Sequence, residues 1–165
     1  MRRIPKGVMS MARRVLTAMT FSLWFGGFTF YAAVVIPVGR RVLGGDTPQG
    51  FITEQVSDRL NVLALVTCLV LYWNTRAVPP ASRRLRTAML VTWAVFALSL
   101  VALMLLHPML DAMLDQSTRS IPQPATFYSA HRVYLIVATV QWLASAIHFP
   151  LVLVAWRDED AAGRA

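Results

Sequence analysis

The amino-acid sequence predicts an all-α fold, an integral membrane bundle of four helices. Three observations carry this: apolar residues gather in four long blocks, charge is scarce, and the charges present crowd beside the blocks. Of 165 residues, 56% are hydrophobic and 15% charged, against about 25% charged in an ordinary soluble domain. Each block approaches the roughly 20 apolar residues that cross a hydrocarbon core of about 30 Å. The expected spans are 15–38, 59–75, 88–107 and 131–156. They form a single transmembrane domain over 15–156, between a basic segment 1–14 and a polar tail 157–165.

Residues 1–14, MRRIPKGVMSMARR, hold five basic residues and no acid. A signal peptide starts in the same way, but its apolar region runs for only about 7–15 residues. Here the apolar run continues from Val15 to Val38, so a retained first helix is expected. Pro37 and Gly39 should end it, ahead of Arg40, Arg41 and a Gly44-Gly45 turn. The second helix has its own start signals: Thr47 as cap, Pro48 at the first helical position, and Asp46 favouring the positive end of the helix dipole. From Pro48 onward Ile52, Val56, Leu60 and Leu63 keep one apolar face while Glu54, Gln55, Asp58 and Arg59 stay polar. This helix therefore begins outside the bilayer and enters it near Leu60. Its membrane part ends near Trp73 to Thr75, short enough to call for little tilt or a locally thin bilayer.

Residues 76–87 read as a loop around Pro79-Pro80 with four arginines, and Pro108 should end the third span. The next stretch opens with PMLDAMLD, where Met109/Met113 and Leu110/Leu114 stand at i, i+4. That spacing predicts a short amphipathic surface helix, followed by an irregular loop up to residue 130. Pro150 interrupts the last helix near its end, and the tail RDEDAAGRA is expected to be disordered.

Charge fixes the expected topology. With the N-terminus inside, eleven basic residues fall on the cytoplasmic side, among them Arg2, Arg3, Arg13, Arg14, Arg83 and Arg157. Five fall opposite: Arg40, Arg41, Arg59, Arg119 and Arg132. The bias places both termini in the cytoplasm. The arginine-heavy composition points to a bacterial source, hence to the inner membrane. A net charge of +8 would also suit nucleic acid, but the basic residues border apolar blocks and form no aromatic-interleaved face, so nucleic acid is excluded as a partner. The expected partners are the lipid bilayer and other membrane-protein subunits. A single cysteine, Cys68, excludes disulfide frameworks and thiolate zinc sites within one chain and reads as a small buried apolar residue.

The most informative stretch is His131 to Trp156. At 100° per residue, Tyr134, Ala138, Gln141, Ser145 and His148 fall on one arc, a polar stripe with Gln141 near mid-membrane. Such a stripe has to face protein, water or a cofactor. Its simplest role is packing glue, with Asn61, Thr67, Cys68, Thr92 and Ser99 as hydrogen-bond partners on the second and third helices. Interhelical bonds of this kind contribute about 0.6–2 kcal/mol each. Lining a transport pathway is the alternative, although no acid stands mid-span as a proton-coupled pump would need.

Three further constellations carry chemistry. His107 closes the third span and His131 opens the fourth, at one level with Asp58, Arg59, Asn61, Asp111, Asp115, Tyr128 and Arg132. Interfacial anchoring and ion pairing account for such a ring of polar groups. The same two imidazoles are also the one pair that could ligate a metal or a b-type haem between facing helices. Tyr134 and Arg132 would then support the ligands. His148 lies about 25 Å further along the helix and has no second histidine at its depth. Met104, His107, Met109 and Met113 would supply thioether and imidazole ligands for copper. Gly26-Gly27 reads as a close helix-packing site, with a binding cleft as the other reading.

The run Ser22-Leu23-Trp24-Phe25-Gly26-Gly27-Phe28, with Tyr31 and Pro37, resembles the first helix of small four-helix membrane proteins of the transmembrane-protein-205-like and copper resistance protein D-like group. Arg59-Leu60-Asn61 and Phe127-Tyr128 followed by His131-Arg132 are compatible with that resemblance, which covers about a third of the chain. It implies a four-span bundle, with copper handling suggested for some relatives, although this chain lacks a long histidine-rich outer region. No hydrolase, metalloprotease, P-loop or dinucleotide fingerprint is present, and no nucleophile pairs with a base at one membrane depth. The expectation is therefore a non-enzymatic accessory or structural component of a membrane assembly. The alternative is an outer-side copper- or haem-binding protein. His131→Ala separates them: a Soret band or stoichiometric copper lost in the variant marks a cofactor protein, whereas weakened assembly with unchanged composition marks a structural one.

Overall fold

Lipid offers the backbone no hydrogen-bond partners, so a spanning segment must satisfy its own N–H and C=O groups, and the apolar blocks are helices. The computed structural model describes residues 6–78, 82–115 and 117–164; Arg2, Arg3 and the Pro79-Pro80 turn lie outside the described residues. The chain forms α1 (Lys6–Phe30), a π turn (Tyr31–Val35), α2 (Ile36–Leu43), α3 (Asp46–Ala77), α4 (Arg83–Asp111) and α5 (Pro124–Ala162). Among the described residues, four helical segments are long and apolar enough to cross a bilayer: Val8–Leu43, Asp46–Ala77, Arg83–Asp111 and Pro124–Ala162. The protein is a multi-pass membrane protein built as an all-α four-helix bundle.

The helices outrun the expected spans, and each extension has a local cause. The first helix does not stop at Pro37. Pro37 has no N–H to give, and the turn before it widens so that the Ile36 N–H bonds the carbonyl of Tyr31, five residues back. The helix resumes as α2 and stops at Gly44, whose φ of 79° lies in the left-handed region that glycine tolerates. Thr47 is not the cap of α3: Gly45 holds that position without a side-chain bond. Asp46 instead forms an ion pair with Arg40 at the end of α2. The third span begins at Arg83, capped by Ser82, whose Oγ accepts the Leu85 N–H at 3.1 Å. It continues through Pro108, so PMLDAMLD is no separate surface helix and its first half is the last turn of α4. The last helix starts at Pro124, well before His131.

The tail expected to be disordered is helical to Ala162. The guanidinium of Arg14 bonds Glu159 Oε2 at 2.8 Å and Asp160 Oδ1 at 2.7 Å, and that of buried Arg13 bonds Glu159 as well. Arg14 also lies 5.7 Å over the Trp156 ring. The two ends of the chain thus meet at one end of the bundle.

Helix α4 packs along α5, α1 along α3, and α3 along α4, whereas the α1 and α5 backbones come close at few positions. Large rings fill that last gap. Phe21 stacks on Phe149 at 4.1 Å and on Phe25 at 5.2 Å, and Phe25 stacks on Trp142 at 5.3 Å. Trp24, Cys68, Phe96, Leu100 and Ala144 form the central core together with Ala64, drawing on all four spans. Because lipid tails are as apolar as leucine, helix contacts here rest on packing and interhelical hydrogen bonds. Thr67 Oγ1 donates to the Thr20 carbonyl (3.1 Å), Trp93 Nε1 to the Cys68 carbonyl (3.0 Å) and Trp156 Nε1 to Asn74 Oδ1 (3.0 Å). Gly26-Gly27 makes no close backbone approach: a methyl at Gly26 would meet nothing within 4 Å, and one at Gly27 only Leu60 at 3.9 Å.

The α4–α5 connection is tied by Asp115. Its Oδ1 accepts from the Ser117 hydroxyl (2.6 Å), the Ser117 N–H (2.9 Å) and the Thr118 N–H (3.2 Å). A backbone bridge to Ser120 closes the turn, with Arg119 at φ 49°. These hydrogen bonds, that of the Ser117 side chain foremost, hold the Asp115 carboxyl down at about 2. A carboxyl lowered on folding stabilises the turn above its ordinary value of about 3.9 and ceases to do so as pH falls through the native value. Exchange protection of the Ser117 and Thr118 amides, followed by NMR, should therefore hold at pH 5 and be lost between about pH 4 and pH 2. Protection independent of pH across that window would show that the carboxylate does not hold the turn.

Candidate ligand pocket

At the end of the bundle away from the termini the four spans separate around a cavity of about 360 Å³. Its floor is Gln141. This amide is 2% exposed and its Nε2 has no hydrogen-bond partner, although it sits inside the hydrophobic depth of α5. One turn nearer the mouth on the same face stands Ala138, small enough to leave the space above the amide open. Trp24, edge-on to Phe96 at 4.9 Å, and Phe28 form the α1 wall at this depth.

Above the floor the α1–α3 wall is polar and tightly bonded. Tyr31, in the π turn, donates its hydroxyl to Thr53 Oγ1 at 2.9 Å and accepts from Gln49 Nε2 at 3.3 Å; Thr53 in turn bonds the Gln49 carbonyl at 3.0 Å. Gln49 is buried against Gly39, where any Cβ would collide with its carboxamide. The π turn thus has two effects. It carries the chain past Pro37, and it sets Tyr31 and Gly39 against the first turns of α3.

The α4–α5 wall carries the imidazoles. His107 is 7% exposed. Its Nε2 lies 3.1 Å from Asp58 Oδ1 and 3.6 Å from Asp111 Oδ2, in ion-pair range but off the direction of a hydrogen bond. The Tyr134 ring packs against His107 (6.2 Å) and nearly parallel to His131 (6.4 Å, 5°), and Phe127 lies parallel to His131 at 5.7 Å. Glu54, Asp111, Tyr128 and the Arg40–Asp46 pair rim the mouth.

The structure brings together His107, His131, Tyr134 and Gln141 around this cavity. It does not bring in the methionines: Met104 and Met109 are 47% and 57% exposed on the outer face of α4, and Met113 is half-buried away from the cavity lining. A copper set of Met104, Met109, Met113 and His107 is therefore not assembled. A bis-histidine haem needs both imidazoles turned to one iron, whereas His107 Nε2 faces two carboxylates. Among the described residues, no three or more His, Cys, Asp and Glu side chains are grouped to hold a metal ion.

The polar stripe divides at the floor. Ser145 and His148, both fully buried, lie below it in the packed half. Ser145 Oγ bonds the Trp142 carbonyl (2.7 Å) and His148 Nδ1 pairs with Thr92 Oγ1 (2.8 Å). Gln141 makes no such interhelical bond through its amide nitrogen. Of its expected partners, Thr67 is committed to the Thr20 and Leu63 carbonyls and Thr92 to His148. Sequence reasoning missed Trp24, Phe28, Tyr31, Gln49, Thr53 and Glu54 as lining residues. The i, i+4 pair Gln49/Thr53 on an otherwise amphipathic turn was the available signal.

No family model, curated protein or solved structure matches the chain.

Gly39→Ala should push Gln49 off Tyr31 and destabilise the bundle by about 1–3 kcal/mol, as overpacking does. Gly26→Ala should leave stability unchanged. Thermal unfolding in detergent checks the contrast, and equal melting temperatures for the two variants would remove the assigned role of Gly39.

Proposed function

We propose that this protein is a non-enzymatic membrane component whose pocket binds a small, mainly apolar molecule. One observation carries the reading: a cavity of about 360 Å³, apolar outside the Tyr31–Gln49–Thr53 cluster and the imidazole wall, ends at Gln141, a buried amide whose Nε2 no protein group satisfies. Leaving such a donor unpaired costs about 1–3 kcal/mol, a cost that a hydrogen-bond acceptor on a bound molecule would offset. The volume lies within the range of small-molecule sites, which combine apolar walls with a few fixed polar groups. On the eleven-to-five distribution of basic residues, both termini face the cytoplasm of a bacterial inner membrane and the pocket opens on the outer side. Exposed Ala32 and Leu135 at its edges give access from the surrounding lipid.

The test is mass spectrometry of small molecules extracted from protein purified in mild detergent, alongside Ala138→Trp, which fills the space over Gln141, and Gln141→Leu, which removes its donor. Wild-type protein should carry a molecule that is depleted at least about tenfold in both variants while their helical circular dichroism is kept. An optical spectrum is read on the same samples. A Soret band, stoichiometric copper or a wild-type extract no different from that of Ala138→Trp would overturn the reading.

A further inference from the structure

The end of the bundle that holds the termini carries a basic patch, and none of its residues lines the pocket. Arg76 stands in the last turn of α3, and Arg83, Arg84 and Arg86 lie in the first turn of α4. Arg76, Arg83 and Arg84 are exposed and Arg86 is half-buried. The chain has eight carboxylates, and among the described residues none pairs with these arginines. Asp46, Glu54, Asp58, Asp111 and Asp115 belong to the far end of the bundle. Of the three that remain, Asp158 pairs with Arg157 at 3.4 Å, Glu159 with Arg13 and Arg14, and Asp160 with Arg14.

Inward from the arginines the same helix faces carry rings and then alkyl groups. At 100° per residue, Leu65, Leu69, Tyr72 and Arg76 share one side of α3, and Arg83, Arg86, Leu90 and Trp93 share one side of α4. The two sides meet: the Tyr72 and Trp93 rings lie 4.7 Å apart, and Trp93 Nε1 donates to the Cys68 carbonyl at 3.0 Å. They also look outward, since Tyr72 is 42% and Leu69 62% exposed. On a spanning helix that outward surface faces lipid, and Tyr and Trp favour the boundary between hydrocarbon and headgroups. From Tyr72 to Arg76 the helix rises about 6 Å, and from Trp93 back to Arg86 about 10 Å. The headgroup layer adds roughly 5–8 Å on each side of the hydrocarbon core. With the rings at the boundary, the arginines stand at the level of the lipid phosphates.

We propose that this α3–α4 face binds one anionic phospholipid of the adjoining leaflet. Arg76, Arg83 and Arg86 take its phosphate, Tyr72 and Trp93 lie beside its glycerol region, and Leu65, Leu69 and Leu90 lie along an acyl chain. The guanidinium fork matches phosphate oxygens, and basic clusters at the membrane surface recognise anionic headgroups. A zwitterionic lipid offers the same phosphate but adds a cation, for which this patch has no carboxylate. Free phosphate has no chain to lay against the leucines.

The test is native mass spectrometry of the full chain, delipidated in detergent and titrated with phosphatidylglycerol or with phosphatidylcholine of the same acyl chains. The first phosphatidylglycerol should bind at least about tenfold more tightly than phosphatidylcholine. Arg83→Gln/Arg86→Gln should remove most of that preference with helical circular dichroism unchanged. Arg157→Gln/Arg164→Gln, which takes the same charge from the same end, should keep it. Equal binding of the two lipids to wild type would overturn the proposal. Loss of the preference in both double variants would reduce it to net charge, and its persistence in both would remove the assigned arginines; either result overturns the site. Displacement of the lipid by inorganic phosphate at equal concentration would overturn the lipid as its occupant.

Discussion

Phe21 and Phe149 lie face to face at 4.1 Å with only 2° between their planes, and around this contact α1 is held to α5. Neighbouring rings extend it in both directions. Phe25 and Trp142 continue it toward mid-membrane, and Trp156, edge-on to Phe149, carries it to the Arg14 guanidinium at the termini. Helices in lipid gain nothing from hiding leucine from water, so ring contacts worth about 0.5–1.5 kcal/mol each weigh heavily. The ladder stops where Trp142 Nε1 donates to Thr29 Oγ1 at 2.9 Å. Two residues later α1 widens into its π turn, and no ring bridges the gap again until the pocket aromatics. One helix pair is thus sealed over its lower half and open over its upper half, and the boundary between the halves lies at the depth of Gln141.

That boundary explains why one polar stripe has two fates. Below it the bundle is close-packed, and a polar side chain survives by finding a partner across the interface, as His148 does on Thr92. Above it the facing helices stand apart around the cavity; Tyr134 still reaches Ser57 and Asn61 on α3, whereas Gln141 Nε2 finds no partner. An amide left dry and unbonded at this depth would be a standing penalty. On the function proposed above, an acceptor on the bound molecule offsets that penalty at Gln141.

The membrane class and the four spans were legible because length and hydropathy alone decide them. The inward stripe of α5 was legible from its 100° spacing. What escaped were features set by partners distant in sequence. The tail RDEDAAGRA is polar enough to be disordered by itself, and only Arg13 and Arg14, 146 residues away from their partners, hold it helical. Pro37 read as a helix end because a proline removes one hydrogen bond; the π turn that absorbs the loss has no signature in residue type. Met104 and Met109 looked like ligands for their spacing to His107, but both side chains are about half exposed and neither joins His107 in the cavity lining. Gln49 and Thr53 were not singled out, since the polar face of that helix was read from Glu54, Gln55, Asp58 and Arg59; Gly39 of α2 covers Gln49 and Tyr31 bonds Thr53.

Charge is distributed unevenly between the two ends of the bundle. Basic residues are concentrated at the end of the bundle that holds the termini, where Glu159 and Asp160 pair with part of them. The opposite end holds five basic and five acidic residues, Asp46, Glu54, Asp58, Asp111 and Asp115, so it is balanced in sum. It is not balanced in space. Arg41, Arg59, Arg119 and Arg132 are exposed, Asp46 is taken by Arg40, and Asp115 is spent on its own turn. Glu54 and Asp111 line the cavity, Asp111 within 3.6 Å of His107. Arginine is sorted outward because its long side chain reaches the polar interface, as basic residues near a membrane boundary do. The short aspartate at the end of α4 has no such reach, so a helix that brings His107 to the wall brings Asp111 to the rim one turn later.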